Sequence, residues 1–314
     1  MELSFLDFGN VSDKKINSHL MIENVFTLAA RLDELGCKRL WLGEHYGIEQ
    51  RVSWFSPRQI LPLLLANTEN MRIGSGGEII TYHSPLLLAH DYTFLSAVFG
   101  DRVDLGLAKS IKLPEKIEVG MCTHLDAPMD TFIEKVQKIH LYLQDESQHD
   151  ILMPLVGVKK PQMWFLGTRR KDYDWIIEME GNLALSLHHS HQLLEDPEVL
   201  TDYQEKFRDR HGYRPEILMS VACYCVGSEA ERAAKISELK TTYLKNSIDR
   251  GALVDSPENI YHRLAEIKAH FGLTEVMIHN DSREIEEKNR VLSIFEYAGR
   301  QAPTRPLEAL SAVN

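Results

Sequence analysis

Short apolar runs alternate with amphipathic segments along most of this chain. Residues 3–8 and 39–43 are typical of buried strands, because apolar side chains occupy nearly every position. Between them, apolar residues recur at helical spacing over 20–35, and Gly36 is the type of residue that ends a helix. The same order repeats downstream and predicts eight strands. The other six are expected at 71–77, 102–108, 163–167, 183–187, 216–226 and 275–279.

Serine-proline pairs mark the start of several predicted helices. Ser56-Pro57, Ser84-Pro85 and Ser256-Pro257 each combine a capping hydroxyl with a proline suited to the first helical turn. Eight strands alternating with helices, without a flexible linker between halves, indicate one (β/α)₈ TIM barrel. We predict a barrel over residues 1–300, a flexible tail at 301–314, and rim insertions at 108–125, 145–161 and 245–256.

Composition and charge narrow the classes of partner. Of 314 residues, 44% are hydrophobic and 26% are charged, as in a soluble globular protein. A formal net charge of −11, without a lysine and arginine stripe, argues against a nucleic-acid partner. The sequence shows neither a signal peptide nor an apolar stretch of about 20 residues, so we expect a cytoplasmic protein without a membrane partner.

A parallel barrel carries its active site at the carboxyl ends of its strands. His45 follows the second strand, where a histidine can handle protons or simply hydrogen-bond within the barrel mouth. Gly76 and Gly77 follow the third strand and are consistent either with a β-bulge or with close approach of a flat ring. Lys109 and Arg169 follow the fourth and fifth strands, as surface charges or as phosphate ligands.

Histidines also end the sixth and eighth predicted strands. His188-His189, with His191 nearby, would suit a metal ion, but no carboxylate or cysteine is spaced to complete the ligand set. The four cysteines do not have the spacing of a zinc site either. We therefore predict that the chain has no metal site.

Several motifs in consistent order resemble those of the luciferase-like flavin monooxygenases. They are LWLGEHYG at 40–47, RIGSGG at 72–77 with YHSPL at 82–86, GDRVDLGL at 100–107, WFLGT at 164–168, and SPE at 256–258 with TEVM at 274–277. The resemblance runs from about residue 1 to 298. It implies a (β/α)₈ barrel that uses reduced FMN or, in one branch of the family, the deazaflavin F420.

The resemblance also implies roles for particular residues. His45 would be the catalytic histidine, and Gly76-Gly77 would lie under the isoalloxazine, where relatives have a non-proline cis peptide. The phosphate of the flavin would meet Lys109 on one side and the segment Gly167, Thr168 and Arg169 on the other.

The implied activity is a monooxygenase that uses reduced FMN and O₂ to oxidise a small organic substrate, for instance in a biosynthetic pathway. Because no nicotinamide fingerprint is visible, we expect a separate flavin reductase as partner. We also expect a homodimer, as is common in this family. Two alternatives stay open: an F420-dependent oxidoreductase, and a non-catalytic flavin-binding or subunit-like homologue. The non-catalytic alternative stays open because of two departures from the family. Tyr46 stands where the family has a second histidine, and Lys109 stands where it has arginine.

Overall fold

The computed structural model describes residues 1–11, 17–46, 52–54, 56–109, 113–121, 128–144, 151, 159–187, 196, 198–241 and 251–301. Within these ranges, nine parallel strands alternate with helices. The strands are β1 (Leu3–Asp7), β2 (Arg39–Leu42), β3 (Arg72–Ile79), β4 (Val103–Ala108), β5 (Gln162–Leu166), β6 (Asn182–Ser186), β7 (Ile217–Cys225), β8 (Leu253–Asp255) and β9 (Glu275–His279).

The helices surround the strands. They are α1 (Ser18–Glu34), α2 (Leu61–Ala66), α3 (Pro85–Phe99), α4 (Glu115–Gly120), α5 (Pro128–Tyr142), α6 (Tyr173–Glu178), α7 (Glu198–His211), α8 (Glu229–Thr241), α9 (Pro257–Phe271), α10 (Ile285–Asn289) and α11 (Leu292–Gln301), with short 3₁₀ turns at Pro57–Gln59, Ile80–Tyr82, Gly100–Arg102 and Arg170–Asp172. Among the helices in the described ranges, none is both long and apolar enough to cross a membrane.

Eight of the nine described strands close into a ring, which confirms the predicted (β/α)₈ barrel. The order runs from β1 to β7 and then through β9 back to β1. The remaining strand, β8, pairs with the end of β7 outside the ring, where Leu253 lies opposite Cys223. It lies within the stretch 245–256 that we expected as a rim insertion, of which residues 251–256 are described.

Two differences from the predicted elements concern β3 and the last helix. The third strand continues to Ile79, two residues past the predicted end, and its register against β4 shifts between Ser75 and Glu78. The single helix expected near the carboxyl terminus is split into α10 and α11. Of the predicted tail, Gln301 belongs to α11 and residues 302–314 lie outside the described residues.

One buried arginine holds the amino-terminal end of the barrel together. Arg39, at the start of β2, donates to Asp104 at 2.8 Å, to Glu216 at 2.9 Å and to both carboxylate oxygens of Glu275 at 2.8 and 3.0 Å. Its guanidinium also lies 4.5 Å from the ring centroid of Trp164 in the barrel interior. A planar, permanently charged fork is suited to several carboxylates at once. This end of the barrel is therefore joined through fully satisfied charges, as expected of the stabilising face.

Candidate active site at the carboxyl ends of the strands

His45 lies at the barrel mouth and stays accessible to solvent. Its ring contacts Phe8 edge-on, with centroids 5.2 Å apart, and Phe8 in turn contacts His279 at 5.6 Å. His279 is buried and shares a 3.1 Å hydrogen bond with Asp281. Packing around the His45 ring lowers its pKa, although the Asp281 and Glu44 carboxylates oppose that effect. The imidazole is thus favoured in its neutral form, which can accept a proton.

The backbone approaches closely at Gly76 and Gly77. The peptide bond between them is cis, and the register shift of β3 occurs here. A Cβ at Gly77 would lie 2.7 Å from the carbonyl oxygen of Gly106, and one at Gly76 would lie 2.7 Å from the Trp41 ring. Strand packing therefore accounts for both glycines, and the irregularity of β3 agrees with the bulge interpretation. Approach of a flat ring stays a prediction.

The ends of β4 and β5 are joined through a buried carboxylate. Lys109 donates to Asp172 Oδ2 at 3.0 Å and lies 5.1 Å from the ring centroid of Phe132. The backbone N–H of Arg169 donates to the same oxygen at 3.0 Å. Burial alone would raise the pKa of Asp172, but the hydrogen bonds from Arg169 and Lys109 outweigh it, and the pKa is lowered. Asp172 is therefore ionised.

Next to this pair, the hydroxyl oxygen of Thr168 is shielded from solvent and has no hydrogen-bond partner among the described residues. A buried polar atom without a partner costs free energy, so it indicates a place where a ligand or water would bind. The side chain of Arg169 is exposed. Gly167 has a φ of +62°, a conformation that favours glycine.

A second, buried cluster begins at Glu44, next to His45 in the chain, and connects the end of β2 to β3. Glu44 accepts a hydrogen bond from the backbone N–H of Ile79 and another from Tyr46. Glu78, fully buried, accepts from the Tyr92 hydroxyl at 2.9 Å. Burial, reinforced by the neighbouring Glu44 carboxylate, raises the pKa of Glu78 to about 7.

Arg58 and His83 complete this cluster. Arg58 Nη2 lies 3.1 Å from His83 Nδ1 and, because a guanidinium only donates, this nitrogen must accept. The proton of the neutral imidazole is therefore on Nε2, which donates to Glu44 Oε1 at 2.7 Å. Arg58 Nε also lies 3.4 Å from Glu78.

The same three side chains could be considered as metal ligands. Oxygen or nitrogen atoms of Glu44, Glu78 and His83 lie within 4.8 Å of one another. However, the positive charge of Arg58 already faces these groups, and His83 Nε2 carries a proton that a metal would have to displace. Arg58 therefore already offsets one of the two carboxylates of this cluster.

The structure thus brings the predicted residues into two neighbouring groups. In the first, Glu44, next to His45 in the chain, binds the backbone N–H of Ile79, two residues after Gly77. In the second, Asp172 joins Lys109 to Arg169. The histidines His188, His189 and His191 lie outside the described residues.

Two functional candidates were not found from the sequence. Glu78 is a charged residue within the apolar and glycine-rich run of β3, and this unusual position could have identified it from the sequence. Asp172 gave no such signal, because it resembles any acidic residue near the start of a helix.

The chain has relatives among known proteins. The family model for luciferase-like monooxygenases matches residues 1–245. An uncharacterised Bacillus subtilis protein, YceB, is 25% identical over 74% of this chain and 70% of its own length. The N-acetyl-S-alkylcysteine monooxygenase of the same organism is 23% identical over 74% of this chain and 70% of its own length.

Solved structures share the fold over nearly the whole chain. Apo-MsnO8 superposes with a TM-score of 0.77 at 18% identity, covering 94% of this chain and 98% of its own. The oxygenating constituent of 3,6-diketocamphane monooxygenase from Pseudomonas putida, in complex with FMN, has a TM-score of 0.71 at 12% identity, with 96% and 97% coverage. An F420-dependent secondary alcohol dehydrogenase has a TM-score of 0.69 at 12% identity, covering 94% of this chain and 97% of its own. The family match and the barrel together show that this chain belongs to the luciferase-like monooxygenases.

Proposed function

We propose that this chain is a flavin-dependent monooxygenase that uses reduced FMN and O₂ to oxidise a small organic substrate. The observation that carries the proposal is the position of His45, an accessible histidine of lowered pKa at the end of β2. Family membership and the fold shared with an FMN-bound oxygenase support the cofactor class. A separate reductase would supply the reduced flavin.

The residues present are compatible with a flavin. Gly76 and Gly77 offer backbone without side chains, and the shielded Thr168 hydroxyl offers a polar partner. We assign Gly167, Thr168 and Arg169, with Lys109, to the phosphate end. When bound, reduced flavin supplies the electrons that activate O₂.

The protein's own contribution is proton control and exclusion of water. A neutral His45 can take a proton from a reacting group and return it later, which is the usual role of a histidine close to its pKa. Phe8 holds the His45 ring on one edge, and Glu44 anchors the backbone before it to β3. Water displaced from this accessible site by a bound flavin would leave each of these interactions stronger.

The test is anaerobic titration with photoreduced FMN, followed by mixing with O₂ and recording flavin absorbance. We expect saturable binding and a reoxidation rate clearly different from that of free reduced FMN. His45→Ala should still bind the flavin and keep the far-UV circular dichroism spectrum, but lose at least 100-fold in turnover once a substrate is known, because proton transfer contributes about 10²–10⁴. Absence of binding to reduced FMN would contradict the proposal.

An F420-dependent oxidoreductase is the second candidate, favoured by the shared fold with an F420-dependent alcohol dehydrogenase. Parallel titration with F420 separates the two candidate functions. A clear preference for the deazaflavin would favour hydride transfer over oxygen chemistry. A chain that binds neither cofactor would match the third, non-catalytic alternative.

We also propose that the chain forms a homodimer through α2 and α3, which pack against each other. Leu63 on α2 and Leu87, Phe94 and Val98 on α3 are all more than half exposed. The three residues of α3 recur at helical spacing, so they form one apolar stripe. Large exposed apolar patches of this kind mark association surfaces.

A further inference from the structure

Asp172 is an acidic group in the place assigned to the flavin phosphate. The residue is 4% exposed, and its carboxylate accepts from Lys109 and from the Arg169 N–H, both at 3.0 Å, and from the Trp175 indole at 3.4 Å. A half-buried lysine and a backbone N–H are also the donors that a phosphate group would use. The protein's own carboxylate therefore engages both of them.

Among the described residues, the other cations near this site do not replace Lys109. The side chains of Arg169, Arg170 and Lys171 are exposed, and Arg170 pairs with Asp196 at 3.2 Å on the surface. Exposed side chains are hydrated and screened by salt, so they add little to the binding of an anion. Of these four described cations, Lys109 is the one shielded from solvent, and Asp172 balances its charge.

We propose that Asp172 is a specificity-determining residue that competes with the phosphate of FMN for Lys109 and the Arg169 N–H. The phosphate then adds little to affinity, and the chain binds FMN and riboflavin with similar strength. This inference rests on the proposed function. It also fits it, because a flavin that a reductase delivers for each turnover must exchange rather than stay bound.

The argument is electrostatic. Bringing a phosphate dianion beside an ionised carboxylate places like charges together, and the phosphate must also displace Asp172 from its donors. Asp172→Asn keeps the size of the side chain and one oxygen acceptor but removes the charge. Lys109 then has a positive charge without a carboxylate, which favours the phosphate.

The experiment is an anaerobic fluorescence titration of the full chain with photoreduced FMN and with photoreduced riboflavin. For the wild-type protein we expect the two Kd values to agree within about threefold. Asp172→Asn should bind FMN at least tenfold more tightly and leave riboflavin unchanged. Asp174→Asn is the matched control, since Asp174 is exposed and lies 3.7 Å from Lys206, and it should change neither Kd.

A double variant identifies the cation. In Lys109→Met/Asp172→Asn, the gain for FMN should disappear, while riboflavin binding persists. If Asp172→Asn does not fold, as judged by circular dichroism, Asp172→Ser is used in the same comparison. A merely structural role would change the two flavins alike, so an unchanged ratio of Kd values overturns the inference but leaves the proposed function standing. Binding of neither flavin by any variant overturns both.

Discussion

Glu78 connects the stability of this protein to pH in a measurable way. Its carboxyl is fully buried on β3, and burial, together with the Glu44 carboxylate, raises its pKa from the ordinary 4.5 to about 7. Arg58 and the Tyr92 hydroxyl act in the opposite direction without cancelling that effect. The folded protein therefore holds this proton more tightly than the unfolded chain does. Replacing the group by Glu78→Gln removes the titration and keeps an acceptor for Tyr92.

The sign and size of this pH dependence follow from the linkage between protonation of Glu78 and folding. Between pH 4.5 and about 7 the native state binds more protons at this position, so the free energy of unfolding falls as pH rises. The contribution is fully present below pH 4.5 and is lost above about pH 7. At about 1.36 kcal/mol for each pH unit, the difference is on the order of 3 kcal/mol, of which about 2.5 kcal/mol is lost between roughly pH 5 and 8.

The assay is urea unfolding of wild-type protein and Glu78→Gln at several pH values across that interval. We expect the stability of the variant, relative to wild type, to increase with pH by about 2–3 kcal/mol. Glu266→Gln is the control, because Glu266 is an exposed carboxylate on α9 paired with Arg263. Its curve should run parallel to the wild-type curve. If the Glu78→Gln curve also runs parallel, the reasoning about this carboxyl is refuted.

Two further predictions concern stability and assembly. Arg39→Met should lower the free energy of unfolding by about 3–5 kcal/mol, because it leaves buried carboxylates unpaired. Arg263→Met, which removes an exposed arginine, should cost less than about 1 kcal/mol in the same urea titration, and equal losses would contradict the role of Arg39. Phe94→Glu should convert the homodimer to a monomer in light scattering, because it places a charge in the apolar stripe of α3. Leu20→Glu on α1 should leave the dimer intact, and a wild-type monomer would remove the dimer proposal.

The architecture was predictable because its signal is repeated. Most strands of the ring are largely apolar runs followed by a helical pattern, so errors at single boundaries do not alter the fold. The outer strand β8 has three residues, Leu253–Asp255, which is too short for a hydrophobic pattern to be recognised. The extension of β3 to Ile79 depends on a register shift against β4, which is a tertiary property.

The positions of the candidate site residues were predictable from the sequence, but the contacts between their side chains were not. The carboxyl-end rule places His45 and Lys109 at the barrel mouth from their places in the chain alone. The partner of Lys109, however, is 63 residues away, and its identity depends on how β4 and β5 align. Likewise, the Glu44 carboxylate raises the pKa of Glu78 because the two lie close together, and β3 shifts its register against β4 between Ser75 and Glu78. Side-chain contacts across strands are set by register, and register is not visible in a single sequence.

The two ends of the barrel differ in how their charges are satisfied, and this difference has a functional consequence. At the amino-terminal end, Arg39 meets three carboxylates directly, so substitution there should change stability without redirecting chemistry. At the carboxyl end, Asp172 engages a cation that we assign to the cofactor, and the Thr168 hydroxyl lacks a partner. Because strained or incompletely satisfied groups concentrate where a protein binds and releases a ligand, the carboxyl end is where exchange of a flavin should take place.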